Sequence, residues 1–128
     1  MATKKSCILV VEDDQFLAEM YSTKLGIEGF EVLLAGDGEQ AIELLNSRKP
    51  DLVILDLMLP KLDGFGVLEA MRADTGLARI PVIVLSNLGE KESVDRALSL
   101  GASDYLIKAH FLPTEVVAKI RQTLGLTS

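Results

Sequence analysis

The chain carries Glu12-Asp13-Asp14, Asp56, Ser86-Asn87 and Lys108, each group directly after a short run of aliphatic residues. Three or four carboxylates brought into one crevice repel one another, so they must bind a cation or shift their pKa values upward. Oxygen-only ligands with no Cys or His beside them favour a hard ion. Mg²⁺ suits such a set, because it takes one or two carboxylates, several waters and phosphate oxygens. A lysine and a hydroxyl on the same rim are ligands for a phosphoryl group. Together these types suit phosphoryl transfer, in which positioning and charge neutralisation carry most of the catalysis. The acceptor is then a carboxylate, since no Ser or Thr at these positions has a general base beside it. Any one of the acidic residues alone could simply cap a helix. The case for a site rests on their complementary chemistry taken together.

The elements that must position these groups follow from the hydropathy pattern. Cys7–Val11, Val32–Ala35, Leu52–Leu55, Val82–Leu85 and Tyr105–Ile107 are short apolar runs without polar alternation. Such runs predict strands buried on both faces, as in a parallel sheet covered by helices. Between them, helical spacing predicts apolar stripes: Leu17, Met20, Tyr21 and Leu25; Ala41, Ile42 and Leu45; Val67, Leu68 and Met71; Val94, Ala97 and Leu98; and Val116, Val117, Ile120 and Leu124. Gly29 and Gly101 fall where helices should end, and Pro113 where the last should begin. Asp14 is expected to cap the first helix. Five β/α units in a row predict an α/β fold with helices on both faces of one parallel sheet. Strand order is not visible in the sequence, and 2-1-3-4-5, flavodoxin-like, is the common choice for five strands. In that order strands 1 and 3 are neighbours and their terminal carboxylates converge.

At 128 residues the chain is one domain's worth, taken here as residues 1–128. Its 13 Lys and Arg against 19 Asp and Glu give −6, which argues against binding a nucleic-acid backbone, so no direct nucleic-acid partner is expected. Cys7 is the sole cysteine, which excludes an internal disulfide and a cysteine metal site and predicts a reduced, cytoplasmic setting. The run Cys7–Val11 is too short for a signal-peptide core or a membrane span, and no membrane association is expected. His110, the sole histidine, is expected to lie exposed in a loop.

Over essentially its full length the chain resembles the receiver domain of two-component response regulators. The segments that carry the resemblance are Ile8–Asp14, Leu52–Pro60, Asp63-Gly64, Val82–Asn87 and Gly101–Lys108. It implies the flavodoxin-like (βα)5 fold in the order 2-1-3-4-5, with Asp56 as the phosphoacceptor and a metal ligand. It further implies that Asp13 ligates Mg²⁺ directly, Glu12 through water, and Met58 by its backbone carbonyl. Ser86 becomes the switch hydroxyl, Tyr105 the aromatic switch residue that swings inward, and Lys108 the lysine that pairs with the phosphoryl oxygens. Gly64 fits the loop that begins the third helix. The implied partners are a sensor histidine kinase or phosphotransfer protein and an effector protein, read by the surface of helix 4, strand 5 and helix 5. The chain is expected to be a monomer or weak dimer, and a signalling domain that catalyses only its own phosphorylation and dephosphorylation.

Two related chemistries fit less well. A flavodoxin needs a hydroxyl- and glycine-rich phosphate loop where Glu12-Asp13-Asp14 stand, and a haloacid-dehalogenase phosphatase needs an Asp at Met58. The chain also departs from the family pattern. Ala109 follows Lys108 where proline with a cis bond is usual, and a cis Lys108–Ala109 bond is expected so that Lys108 can aim at Asp56. Met58 and Leu88 flank the acceptor with apolar side chains, which predicts slow self-dephosphorylation. Val94, Ser103 and Ala118 stand where the winged-helix DNA-binding subfamily places charges at its dimer face, so that dimer is not expected. No effector domain is expected within these residues, which fits either a stand-alone receiver or an excised domain of a larger regulator or hybrid kinase.

Overall fold

A computed structural model describes residues 5–126 of the chain; the 1–128 span expected from the sequence extends beyond them at both ends. Strands β1 (Cys7–Val11), β2 (Glu31–Ala35), β3 (Leu52–Leu55), β4 (Val82–Ser86) and β5 (Asp104–Ile107) alternate with helices α1 (Gln15–Ile27), α2 (Gly38–Arg48), α3 (Gly64–Ala73), α4 (Lys91–Ser99) and α5 (Pro113–Leu124). The strands form one parallel sheet in the order β2-β1-β3-β4-β5. This is the flavodoxin-like topology expected from the sequence.

The absence of polar alternation in the strands has a direct cause: both faces of the sheet are covered. Leu9, Val11, Val53, Leu55, Val82 and Val84 pack with residues of α2, α3 and α4. The intervening Ile8, Val10, Leu52, Ile54, Ile83 and Leu85 pack with α1 and α5. Each strand thus contributes alternate side chains to two cores, as the period of two requires. Pro113 is the first residue of α5, and Gly29 and Gly101 adopt left-handed backbone after α1 and α4. The α4 stripe is narrower than expected. Only Ala97 is buried among its residues, and Leu98 is 45% exposed.

The register sets the functional rim. Val11 pairs with both Ala35 and Leu55, and Ser86 pairs with Ile107. The residues immediately beyond, Glu12, Asp56 and Lys108, therefore leave the sheet on the same edge. No described helix is long and apolar enough to cross a membrane.

The expected cis bond is not found. No described peptide bond is cis, so Lys108–Ala109 is trans. Lys108–His110 instead forms a single 3₁₀ turn, in which the Phe111 N–H donates to the Lys108 carbonyl at 3.4 Å. Without a proline ring a cis peptide costs about 2.5–4 kcal/mol. The 3₁₀ turn bends the chain without that cost, and Lys108 still reaches the rim.

Candidate functional site

Glu12, Asp56 and Ser86 are the buried polar or charged residues among those described, and all three stand at the carboxyl ends of strands. Burying such groups is unfavourable unless they are paired. Lys108 supplies the pairing. Its ammonium lies 2.5 Å from Glu12 Oε1 and 2.9 Å from Asp56 Oδ2. Asp56 Oδ1 accepts from the Met58 N–H at 3.2 Å, so each carboxylate oxygen has its own donor. Glu12 also accepts from the Asp14 N–H at 3.1 Å.

Burial raises the Glu12 carboxyl above its ordinary value, against the opposing pull of its bonds to Lys108 and Asp14. Burial alone would depress Lys108, but its bonds to Glu12 and Asp56 prevail and hold the amine above its ordinary value. Lys108 is therefore a fixed cation in the physiological range.

Asp13 stands exposed beside this pair. One carboxylate oxygen from each of Glu12, Asp13 and Asp56 lies within 4.8 Å of the others. An all-oxygen set of two buried carboxylates and one exposed fits a small hard divalent cation such as Mg²⁺. The remaining acidic residues near the rim are accounted for locally. Asp14, Asp37 and Asp63 are N-caps, accepting from the N–H groups of Leu17, Gln40 and Gly66. Capping thus removes three carboxylates from the chemical argument and leaves Glu12, Asp13 and Asp56 in it.

Ser86 ends β4 with its side chain fully buried, and its Oγ accepts from the Leu88 N–H at 3.2 Å. The Tyr105 hydroxyl donates to the Leu88 carbonyl at 2.5 Å. Tyr105 is half-buried and packs against the core that contains Ala97. The Leu88 main chain thereby meets Ser86 through its N–H and Tyr105 through its carbonyl, in two successive peptide groups, a link that the identity of an apolar side chain gives no means of anticipating. Met58 is 63% exposed at the mouth of the site, and His110 is exposed, as expected.

The response regulator receiver domain family matches residues 8–121. The DNA-binding response regulator MtrA of Mycobacterium tuberculosis is 43% identical over 124 residues, covering 97% of this chain and 53% of that protein. A protein of Guillardia theta named "Probable transcriptional regulator ycf27" is 40% identical over 124 residues, covering 97% of this chain and 47% of that protein. The chain spans about half the length of these relatives. The receiver domain of Francisella response regulator 1452 superposes with a TM-score of 0.87 at 31% identity, covering 94% of this chain and 98% of that one.

The relatives correct one expectation. The acidic balance led to the expectation that nucleic acid is no partner, yet MtrA is named a DNA-binding regulator. A charge count describes the surface of the residues counted. It does not speak for a regulator in which such a domain makes up about half the length.

Proposed function

The chain belongs to the response regulator receiver domain family, and from that premise we propose that Asp56 accepts a phosphoryl group from a partner's phosphohistidine. The observation that carries this reading is the contact of Lys108 with Asp56 and Glu12 at a rim where the buried polar groups collect. On this reading residues 1–128 act as one receiver domain in the cytoplasm.

The reaction is an in-line displacement. An Asp56 carboxylate oxygen attacks phosphorus, the N–P bond to the donor imidazole breaks, and that nitrogen keeps the bonding pair. The Met58 N–H fixes one Asp56 oxygen. Lys108, already beside the other, meets the negative charge of the incoming group. Mg²⁺, when held by Asp13, Asp56 and the Met58 carbonyl, with Glu12 acting through water, offsets the charge of the carboxylates and the phosphoryl oxygens. Loss of the phosphoryl group by hydrolysis runs at the same residues.

The product adds about −1.5 to −2 charges to an acidic crevice. The Ser86 hydroxyl turns toward the new oxygens and gives up its bond from Leu88. Because the adjoining Leu88 carbonyl holds Tyr105, that change reaches the surface formed by α4, β5 and α5. Phosphorylation favours an inward Tyr105, so the switch is a shift between two arrangements of the chain. A DNA-binding output, as the name of the MtrA relative gives it, is the first output class to test.

The test is Asp56→Asn treated with Mg²⁺ and a small-molecule phosphodonor such as acetyl phosphate. The wild type should gain an acid-labile phosphoryl group and the variant none. Incorporation by the variant at the wild-type level would sink the assignment.

A further inference from the structure

The loop between β3 and α3, Asp56–Asp63, leaves the acceptor and returns at Gly64. Its first anchor is local. The Gly64 N–H donates to the Leu57 carbonyl at 2.9 Å, and a Cβ at Gly64 would stand 2.5 Å from the Asp56 carbonyl oxygen and 2.6 Å from Leu57 Cα. Its second anchor comes from an element that contributes nothing else to the rim. At Gly38, the first residue of α2, a Cβ would collide with the Leu62 carbonyl oxygen and lie 2.7 Å from its carbon and 2.8 Å from Leu62 Cβ. Only a residue without a side chain lets α2 approach the loop tip this closely. Asp37, the cap of α2, adds an ion pair to Lys61 at 3.7 Å, and Lys61 takes a left-handed backbone (φ 68°) at the adjoining position.

We infer that Gly38 is a positioning residue for the phosphoacceptor, acting through Leu62 and the loop. The inference rests on the function proposed above and adds the β2–α2 corner to the elements that build the site. The chain of contact is short. Gly38 sets where Leu62 lies, and Leu62 fixes the loop tip against the core that holds Leu57 and Phe65. The same loop carries the Met58 N–H that orients Asp56 Oδ1. Displacing the tip tilts Met58, and with it both the acceptor and the Met58 carbonyl on the cation side. A hydrogen-bonded partner of a metal ligand, as the Met58 N–H is to Asp56, is worth about 10–100-fold in metal affinity when lost.

The test compares Gly38→Ala and Leu62→Ala with Gly26→Ala, whose added methyl enters open space on α1. Mg²⁺ alone is titrated by calorimetry, and amide exchange of Met58 is read against that of Val84 in the core. Gly38→Ala should weaken Mg²⁺ binding by about tenfold, with Leu62→Ala acting in the same direction. Both should speed exchange at Met58 more than at Val84, and Gly26→Ala should leave both readings as in the wild type. If Gly38→Ala does not fold, Leu62→Ala decides alone, because it removes atoms and adds none. Folded variants with wild-type Mg²⁺ affinity and an unchanged Met58 amide overturn the inference. A wild type that itself neither binds Mg²⁺ nor takes a phosphoryl group overturns the proposed function, and this inference with it.

Discussion

The Tyr105 hydroxyl donates to the Leu88 main-chain carbonyl at 2.5 Å, across the mouth of the loop that leaves β4. The bond is half-buried, and burial raises the phenol above its ordinary value, so it stays a donor throughout the physiological range. Tyr105→Phe keeps the ring and removes the donor. The expected cost is about 1 kcal/mol in denaturant unfolding, the usual net value of one hydrogen bond. Amides of residues 87–90 should exchange faster, while phosphodonor uptake at Asp56 stays near wild type. Unchanged exchange in that loop would show that the hydroxyl does not hold it.

Among the described residues Lys108 is the cation bonded to both buried carboxylates. Lys108→Ala leaves Glu12 and Asp56 adjacent and uncompensated, at a cost of about 3 kcal/mol near neutral pH, the low end for breaking a buried pair. The pH dependence follows from the two shifts. The Lys108 pKa is raised in the folded state, so its contribution is full below the ordinary value of 10.5 and is lost as pH rises through the folded value. Glu12 is also raised, so its ionised form opposes folding above 4.5, and this opposition disappears on acidification. The deficit of Lys108→Ala should therefore narrow as pH is lowered toward the Glu12 range, and Mg²⁺ should also reduce it. A deficit independent of both pH and Mg²⁺ would mean that charge is not its cause.

The rim was legible in the sequence because it depends on local rules. A strand buried on both faces shows as an unbroken aliphatic run, so the residue after each run marks the sheet edge, and Glu12, Asp56, Ser86 and Lys108 stand there. Pro113 and Asp14 marked helix starts for equally local reasons. What escaped depends on contacts distant in the chain or on alternatives close in energy. Leu98 obeys helical spacing yet stays exposed, because a period says which residues share a face and not whether that face is covered. The Lys108–Ala109 bond was expected cis on the family pattern, whereas a 3₁₀ turn met the same need at lower cost. The approach of Gly38 to Leu62 joins positions 24 residues apart (62 − 38), and neither residue type announces it.

Arg121 fastens α5 to the end of α1. Its Nη2 donates to the Glu28 carbonyl at 3.0 Å and to Glu28 Oε1 at 3.1 Å, and its guanidinium lies 5.1 Å from the Phe30 ring centroid. A lysine retains the charge but has no planar guanidinium to lie on the ring while it bonds Glu28. Arg121→Lys should lower Tm by a few degrees in a thermal scan. The hydrogen bond from Arg121, with help from Lys24, holds the Glu28 carboxyl below its ordinary value of 4.5. A depressed carboxylate stabilises above that value, and its contribution fades as pH falls through the folded value. The gap between Arg121→Lys and wild type should then shrink below about pH 4. A constant gap would assign the loss to the Phe30 contact alone.

Met58 places an exposed thioether at the mouth of the site while its N–H is committed to Asp56. Leu88, on the opposite side, has both main-chain polar groups engaged, one with Ser86 and one with Tyr105. Hydrolysis of a phosphoryl group on Asp56 needs a water aligned for in-line attack, and orientation accounts for a large part of such a barrier. The Leu88 side chain cannot hydrogen-bond that water, and the Met58 thioether is only a weak acceptor. The phosphorylated protein should therefore lose its phosphoryl group slowly. Met58→Asn supplies a donor and an acceptor within reach of the same position, and Leu88→Glu supplies an acceptor. Either should shorten the half-life, measured by release of inorganic phosphate after the donor is removed, by about tenfold. Met58→Asn should change stability little, because Met58 is exposed, whereas Leu88→Glu removes a side chain packed against the core and should destabilise, so Met58→Asn is the cleaner of the two readings. If both variants keep the wild-type half-life, water orientation at these positions does not set the lifetime of the signal.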